Sequence, residues 1–220
     1  MTGSDPVAEA LGAKFNVSRE TMERLRDYVE LLLKWQSKIN IVGPSTTEQV
    51  WDRHIADSLQ LAHFVRDVVP EGPVCLLDLG TGGGLPGIPL GLHLAQERII
   101  HVHLVDSNAK KAAFLREALR ITGLDATVHC MRIERLEPAQ LVPAPNVVVS
   151  RALAPLNQLS EWALPWIELG AVCLFQKGRS VDKELAATDP SRGLAYKIIP
   201  SELTLESSIV VVDAQSRGPH

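Results

Sequence analysis

The sequence predicts an α/β protein in which a helical segment precedes a mostly parallel sheet. Before Pro70-Glu-Gly-Pro73, apolar residues recur every three or four positions, as they do along amphipathic helices. From Val74 onward, short apolar runs alternate with helical stretches, which is typical of parallel strands joined by crossover helices. We therefore expect a helical extension over residues 1–72, packed on an α/β domain over residues 73–220.

The helical extension is expected to contain three helices. A short amphipathic helix is predicted over residues 5–16. A longer helix is predicted over Arg19–Asn40, because Ser18 can cap its first turn and apolar residues follow at helical spacing. Ser45-Thr-Thr-Glu48 has the form of a capping box and is expected to open the third helix.

The α/β part is expected to contain seven strands. The first, Val74–Leu79, leads through a glycine-rich turn into a helix over residues 86–95. Further strands are predicted over Ile99–Val105, Thr127–Met131, Asn146–Val149, Ala171–Phe175, Leu194–Ile199 and Ser208–Val212. Further helices are predicted over residues 109–121, 156–168 and 181–187.

The glycine-rich turn after the first predicted strand is a candidate cofactor site. Four of the five residues over Gly80–Gly84 are glycine, so the backbone can adopt positive φ and can approach a ligand without an intervening Cβ. The helix that follows presents unpaired N–H groups and the positive end of its dipole. Ligands of such sheets bind beyond the carboxyl ends of the strands, which is where this turn lies.

Residues on either side of the glycines indicate which cofactor the turn suits. Asp106 follows the second predicted strand, where a carboxylate can accept hydrogen bonds from the ribose hydroxyls of an adenosine-containing cofactor. Gly82–Gly87 also satisfies the dinucleotide pattern, but in dinucleotide sites the first glycine directly follows the strand. Here the loop is longer and carries Asp78 at its entrance, where a carboxylate would repel a pyrophosphate. The loop therefore favours S-adenosylmethionine over a nicotinamide dinucleotide.

Composition narrows the class of protein. The formal net charge of −4 argues against a chain that coats nucleic acid, although it leaves room for a local basic face. No apolar run approaches the roughly 18 residues of a membrane span, and the first residues lack a signal-peptide pattern. Cys75, Cys130 and Cys173 lie in apolar runs without metal or disulfide spacing. We therefore expect reduced core thiols, no metal, and a cytoplasmic protein, with a monomer as the default.

Several motifs beyond the glycine loop occur in this chain in a fixed order: Trp35-x4-Asn40, Arg53-His54-Ile55-x-Asp57-Ser58, Leu104-Val-Asp106-Ser107, Arg132-Ile-Glu134, Ser150-Arg151-Ala152 and Lys177-Gly178. With Asp78–Pro89, they make the chain resemble the RsmG (GidB) family over roughly residues 30–180. Members of that family are bacterial methyltransferases that modify N7 of a guanosine in small-subunit ribosomal RNA. The resemblance implies a Rossmann-like S-adenosylmethionine-dependent methyltransferase fold with an N-terminal helical extension. It also implies a ribosomal RNA substrate, either free or within the ribosomal subunit.

The predicted cofactor residues come from the strand ends and from this resemblance. The strand ends contribute the glycine loop and its flanks, together with the end of the second strand: Asp78, Gly80, Thr81, Gly82, Gly84, Asp106 and Ser107. The resemblance implies contacts at Gly80, Leu85, Ile133, Glu134 and Arg151.

The chemistry at N7 sets what else the site needs. N7 of guanine carries an in-plane lone pair and no proton, so in-line attack requires no general base. Catalysis should then depend on alignment and on charge placement, for which Arg151 and Lys177 are the candidates. The candidate contacts to the substrate RNA are Lys34, Lys38, Asn40, Arg53, His54, Lys177 and Arg179.

Other interpretations remain open from sequence. Asp106 could cap the following helix instead of binding ribose, and Lys34 and Lys38 could form an ordinary solvated helix face. The protein could be a methyltransferase for a small molecule or a protein, a NAD-dependent oxidoreductase, or a non-catalytic RNA-binding module.

Overall fold

The computed structural model describes residues 6–43, 49–204 and 206–214. In these residues a seven-stranded sheet has the order β3-β2-β1-β4-β5-β7-β6. The strands are β1 Val74–Leu79, β2 Ile100–Val105, β3 Ala126–His129, β4 Val147–Arg151, β5 Val172–Lys177, β6 Leu194–Pro200 and β7 Ser208–Ala214. The first five strands are parallel, whereas β7 runs antiparallel to both β5 and β6. The predicted mostly parallel seven-stranded sheet is thus confirmed.

Helices cover the sheet and precede it. They are α1 Pro6–Lys14, α2 Arg19–Gln36, α3 Asp57–Leu59, α4 Leu61–Val68, α5 Gly87–Leu94, α6 Ala109–Thr122, α7 Leu156–Ile167 and α8 Val181–Ala186. None of the helices in the described residues is long and apolar enough to cross a membrane.

The second helix is shorter than predicted. It ends at Gln36 and not at Asn40, because the Gln36 side chain binds the backbone that follows. Its amide oxygen accepts hydrogen bonds from the N–H groups of Ile41 and Val42, and its amide nitrogen donates to the Val42 carbonyl. These bonds reverse the chain after α2 and bring residues 41–43 towards the glycine loop.

The third helical segment begins with an unusual turn. Its predicted capping box, Ser45–Glu48, lies outside the described residues. Trp51–Ala56 forms a π-helical turn that continues into α3. Turns of this kind widen the helix and are frequent at functional sites. This one carries Arg53 and His54.

The helical segment and the sheet share one hydrophobic core. Leu25 and Leu32 of α2 belong to the same buried cluster as Leu76 of β1 and Phe114 of α6. Trp35 adds an edge contact to Phe114 and donates a hydrogen bond from Nε1 to Glu117. The tryptophan therefore joins the helical segment to the sheet domain through packing, while the division of the chain at residue 72 stays a prediction.

One of the three cysteines predicted to lie in the core is exposed. Cys75 and Cys173 are buried, but Cys130 is exposed. The prediction for Cys130 was wrong because β3 ends at His129 and does not extend to Met131. Cys130 thus follows the strand and does not point into the core.

A buried histidine on β2 gives the fold a specific acid sensitivity. His103 Nε2 lies 2.9 Å from the Pro143 carbonyl and His103 Nδ1 lies 3.0 Å from His129 Nε2. Since a carbonyl only accepts, neutral His103 donates from Nε2 and accepts at Nδ1. Burial lowers the pKa of His103 to about 4, whereas in the unfolded chain it is about 6.5. The stability contributed by neutral His103 is therefore complete above pH 6.5 and is lost as the pH falls towards 4.

We expect His103→Gln to make stability less dependent on pH. Between pH 7.5 and pH 5, the free energy of unfolding of the wild type should fall by about 2 kcal/mol more than that of the variant. Urea denaturation at the two pH values measures this difference. An equal fall in both proteins would show that His103 is not the titrating group.

Candidate functional site

A cavity of about 890 Å³ lies along the carboxyl ends of the parallel strands. It is bordered by the glycine loop after β1, by Arg151 at the end of β4, by Gln176 and Lys177 at the end of β5, and by Ser208 at the start of β7. These strands are neighbours in the sheet, so the cavity crosses about three inter-strand spacings, or roughly 14 Å. The π-helical turn closes it from the side of the helical segment. Cavities of this size hold ligands as large as a nucleoside cofactor.

The glycine loop has the backbone that a close ligand approach requires. Gly80, Gly82 and Gly84 have φ of 66°, 57° and 87°, values that favour glycine. A Cβ at Gly82 would project into the space between Lys111 Nζ, at 3.8 Å, and the carbonyl of Ile41, at 4.0 Å. The absence of side chains thus leaves a concave floor beneath the cavity, which fits a cofactor lying on the loop.

Asp78 holds this loop from behind. One of its oxygens, Oδ2, accepts hydrogen bonds from the Thr81 hydroxyl at 2.6 Å and from the Gly87 N–H at 2.9 Å. The side chain is fully buried, and burial raises its pKa to about 6. Asp78 is not among the residues that line the cavity. Its visible role is therefore to fix the turn between β1 and α5.

Asp106 lies beside the loop at the end of β2. Its Oδ2 accepts from the Gly82 N–H at 3.1 Å and its Oδ1 accepts from the Asn108 N–H at 2.8 Å. The side chain that caps α6 is that of Asn108, which accepts from the N–H groups of Lys110 and Lys111. Asp106 is therefore not the helix cap, and it remains a candidate for a ribose contact next to the glycines.

The predicted cofactor residues do not all meet in one cavity. Gly80, Thr81, Gly82, Leu85 and Arg151 line it. The remaining predicted residues lie outside its lining, namely Asp78, Gly84, Asp106, Ser107, Ile133 and Glu134. The last two lie in a short turn after β3, two strands from β1 on the side away from β4. A cofactor that contacts both groups would extend along the ends of β1, β2 and β3.

Arg151 joins β4 to the π-helical turn. Its guanidinium donates from Nη1 to the Arg53 carbonyl at 2.9 Å, and Nη2 lies 2.7 Å from His54 Nδ1. Nη1 also lies 3.8 Å from Asp57 Oδ2. The next residue, Ala152, has φ of 51°, a conformation that non-glycine residues seldom adopt and that is common at functional sites. Arg151 is thus held by several contacts at the centre of the cavity wall.

His54 is neutral in this arrangement. Burial, together with the positive charges of Arg151 and Arg53, lowers the pKa of His54 to about 4. A guanidinium only donates, so the Nδ1 atom accepts from Arg151 and the imidazole proton lies on Nε2. His54 therefore adds no charge to the cavity at neutral pH.

The ammonium group of Lys177 binds two groups within the protein. The Nζ atom lies 2.6 Å from Glu184 Oε2 and donates to the Ala154 carbonyl at 2.8 Å. These contacts favour a role in holding the loop after β4, which carries Ala152, over direct contact with a substrate base. Arg179 forms an ion pair with Glu206 on the side of the cavity near β7.

The remaining predicted RNA contacts lie at and around the cavity mouth. Arg53 is exposed and lines the cavity. Lys34, Lys38 and Asn40 are exposed near the end of α2 but do not line it. They could meet RNA only along the surface that surrounds the opening.

Several cavity residues were missed from the sequence. Asp57 and Gln60 follow the π-helical turn, Gln176 is the last residue but one of β5, and Lys111 reaches the glycine loop from α6. Asp57 belongs to the quoted motif Arg53–Ser58, so the motif was a usable signal. Lys111 follows another lysine on an amphipathic helix, and nothing in that pattern distinguishes the two. In the part of the chain that the structure describes, no group of His, Cys, Asp or Glu residues could hold a metal ion.

Comparison with known proteins agrees with this fold. Among solved structures, the citrinin polyketide synthase CMeT domain matches with a TM-score of 0.58 at 13% identity, covering 94% of this chain and 68% of that one. A putative class I S-adenosylmethionine-dependent methyltransferase from Listeria monocytogenes matches with a TM-score of 0.54 at 14% identity, covering 98% and 87%. The predicted Rossmann-like methyltransferase fold is therefore confirmed.

Sequence comparison identifies the family. Proteins named ribosomal RNA small subunit methyltransferase G are similar to this chain. That of Paramagnetospirillum magneticum is 44% identical over 96% of this chain and 97% of its own length. That of Gluconobacter oxydans is 43% identical over 89% and 95%. A family model described as rRNA small subunit methyltransferase G matches residues 21–202. The chain therefore belongs to the rRNA small subunit methyltransferase G family.

Proposed function

We propose that the protein methylates N7 of a guanosine in 16S ribosomal RNA, the RNA of the small ribosomal subunit, with S-adenosylmethionine as methyl donor. The main support for this proposal is that the chain belongs to this family and has a cavity that runs from the glycine loop to Arg151 and Asp57. S-adenosylmethionine is the cofactor of this fold and family. When bound, it supplies an electrophilic methyl group carried on a sulfonium.

The chain's own residues divide into two groups along the cavity. The loop Gly80–Leu85, with Asp106 beside it, would hold the cofactor, because it combines a floor without side chains with a carboxylate that can accept from ribose hydroxyls. Arg151, Asp57 and Gln176, over β4 and β5, border the remaining space. That space is left for the base that is to be methylated.

The proposed reaction requires no proton transfer to or from these residues. Guanine N7 has no proton to lose, and neutral His54 is already committed at Nδ1 to Arg151. The residues instead align the base and balance charge, since the guanine gains positive charge as it is methylated. A half-buried carboxylate at Asp57 is suited to that charge.

The substrate implies where and with what the protein works. A base within a folded RNA must be exposed or extruded to enter a cavity at the strand ends. Arg53 at the cavity mouth, with Lys34 and Lys38 nearby on α2, provides positive charge for the flanking phosphates. We further propose that the protein acts as a monomer in the cytoplasm, where ribosomal subunits are assembled.

The proposed function is tested by the modification itself. Ribosomal RNA from cells with and without the gene for this protein is digested, and 7-methylguanosine is quantified by mass spectrometry. We expect one 7-methylguanosine in the small-subunit RNA to disappear with the gene and to return when it is restored. Unchanged 7-methylguanosine would favour a small-molecule or protein substrate instead.

The proposed division of the cavity predicts two different mutant phenotypes. Asp106→Ala should weaken cofactor binding about tenfold, because it removes an acceptor and frees the Gly82 N–H. Arg53→Ala should leave cofactor affinity nearly unchanged and lower RNA methylation, because Arg53 is exposed at the mouth. Calorimetry with S-adenosylmethionine and methylation assays with small subunits separate the two effects. Equal losses of cofactor affinity would contradict the division.

A further inference from the structure

The proposed function leaves open how the cavity selects guanine over other purines. Adenine also carries N7, so an accessible N7 does not discriminate between them. Guanine alone presents two adjacent donors, N1–H and the N2 amino group, on the edge of the base opposite N7. An acceptor on the far side of the base would therefore distinguish guanine while N7 faces the methyl donor.

Asp57 is placed to be such an acceptor. Three described residues with carboxylates line the cavity, and two of them are unsuited: Asp52 is exposed, and Glu206 is exposed and paired with Arg179. The side chain of Asp57 is 18% exposed. It lies beside β4 and β5, where Gln176 Nε2 donates to the Asp57 carbonyl at 2.7 Å. The glycine loop lies across the cavity at the end of β1.

The Asp57 carboxylate is fixed in position but not saturated. Gln60 Nε2 donates to Oδ1 at 3.2 Å. Oδ2 accepts no hydrogen bond from the described residues, and its nearest cation, Arg151 Nη1, lies at 3.8 Å, beyond hydrogen-bond length. A half-buried carboxylate oxygen of this kind gains from a donor supplied by a ligand.

We propose that Asp57 determines base specificity by accepting hydrogen bonds from the N1–H and N2 amino groups of the target guanine. A carboxylate presents two acceptors at the spacing of these two donors. Adenine would place an acceptor, its N1, against the same carboxylate and leave Oδ2 unpaired. This inference rests on the proposed function and names the residue that restricts it to guanine.

The test varies the base and the residue together. Small subunits are reconstituted with either guanosine or inosine at the methylated position, since inosine retains N7 and N1–H but lacks the N2 amino group. For the wild type, kcat/KM should be about tenfold or more lower for inosine. For Asp57→Ala, the two substrates should differ by less than about twofold, whatever its absolute rate. Asp52→Asn, which removes another carboxylate of the same cavity, should keep the wild-type ratio of kcat/KM for the two substrates.

The outcomes separate this inference from the function on which it rests. If Asp57 only positions Arg151, Asp57→Ala will lower both rates and keep the wild-type ratio, which would overturn the inference. Equal methylation of both substrates by the wild type would overturn it as well, while leaving N7 methylation intact. If Asp57→Ala is too slow to assay, its binding can be measured in the presence of S-adenosylhomocysteine. The ratio of its affinities for guanosine-containing and inosine-containing small subunits then replaces the ratio of rates. Failure of the wild type to methylate guanosine would instead contradict the proposed function.

Discussion

Arg151→Ala is expected to lower the rate of methyl transfer about 100-fold while leaving the fold intact. The side chain contributes its charge and three contacts, to the Arg53 carbonyl, to His54 and to Asp57, all at the cavity wall. Without it, the π-helical turn loses its link to β4. Single-turnover methylation of small subunits measures the effect.

Two further variants make the Arg151 result specific. Arg151→Lys should recover little activity, because an ammonium cannot reproduce a fork that donates in two directions. Arg192→Ala, which removes an arginine that pairs with Glu161 outside the cavity, should behave as the wild type. Loss of activity in Arg192→Ala of similar size would mean that the assay reports general instability and not the site.

Arg151→Ala should also change the pKa of His54. Arg151 is one of the causes that hold the pKa of His54 at about 4, after burial. In Arg151→Ala this pKa should rise, and NMR titration of the His54 ring measures it. An unchanged pKa would show that the two side chains are not in contact in solution.

Gly87→Ala is expected to destabilise the protein by about 2–3 kcal/mol. A Cβ at this position would lie 2.7 Å from Asp78 Oδ2 and 2.7 Å from Leu104 Cδ2. Both groups are fully buried, and Asp78 cannot retreat without releasing Thr81 and the Gly87 N–H. The added methyl group should therefore also disorder the glycine loop, residues Gly80–Leu85. Urea denaturation measures the loss of stability, and calorimetry measures the accompanying loss of cofactor affinity.

Gly12→Ala is the matched control for this substitution. Its Cβ would meet only the Met22 side chain, at 3.3 Å. Methionine can adapt its rotamer, and alanine favours the α1 helix, so stability should change by less than about 1 kcal/mol. If both variants lose the same stability, the packing around Gly87 is looser than the structure indicates.

The fold could largely be predicted from the sequence because its signals are local. Short apolar strands, such as Val74–Leu79, and the glycines after them specify each unit without reference to the rest of the chain. Errors arose where a side chain overrode the pattern. Apolar periodicity continues past Gln36, but its amide binds the following backbone and ends the helix. The prediction for Cys130 was wrong because β3 ends at His129, two residues before the predicted end at Met131.

The candidate site could be predicted only in part. Gly80 and Arg151 lie at the ends of neighbouring strands, so topology alone brings them together. The π-helical turn has no comparable sequence signal, and it is this turn that places Asp57 beside Arg151. Lys111 faces the glycine loop only because of how α6 packs against α2. Contacts of this kind depend on tertiary packing, which periodicity does not encode.

The central claim is that this cavity methylates N7 of a guanosine in small-subunit RNA. The most direct measurement incubates purified protein and S-adenosylmethionine carrying a labelled methyl group with small subunits from cells that lack the gene. The RNA is then digested and its labelled nucleoside identified. We predict one labelled product, 7-methylguanosine, that forms about 100-fold more slowly with Arg151→Ala. Label in any other nucleoside, or in protein alone, would contradict the claim.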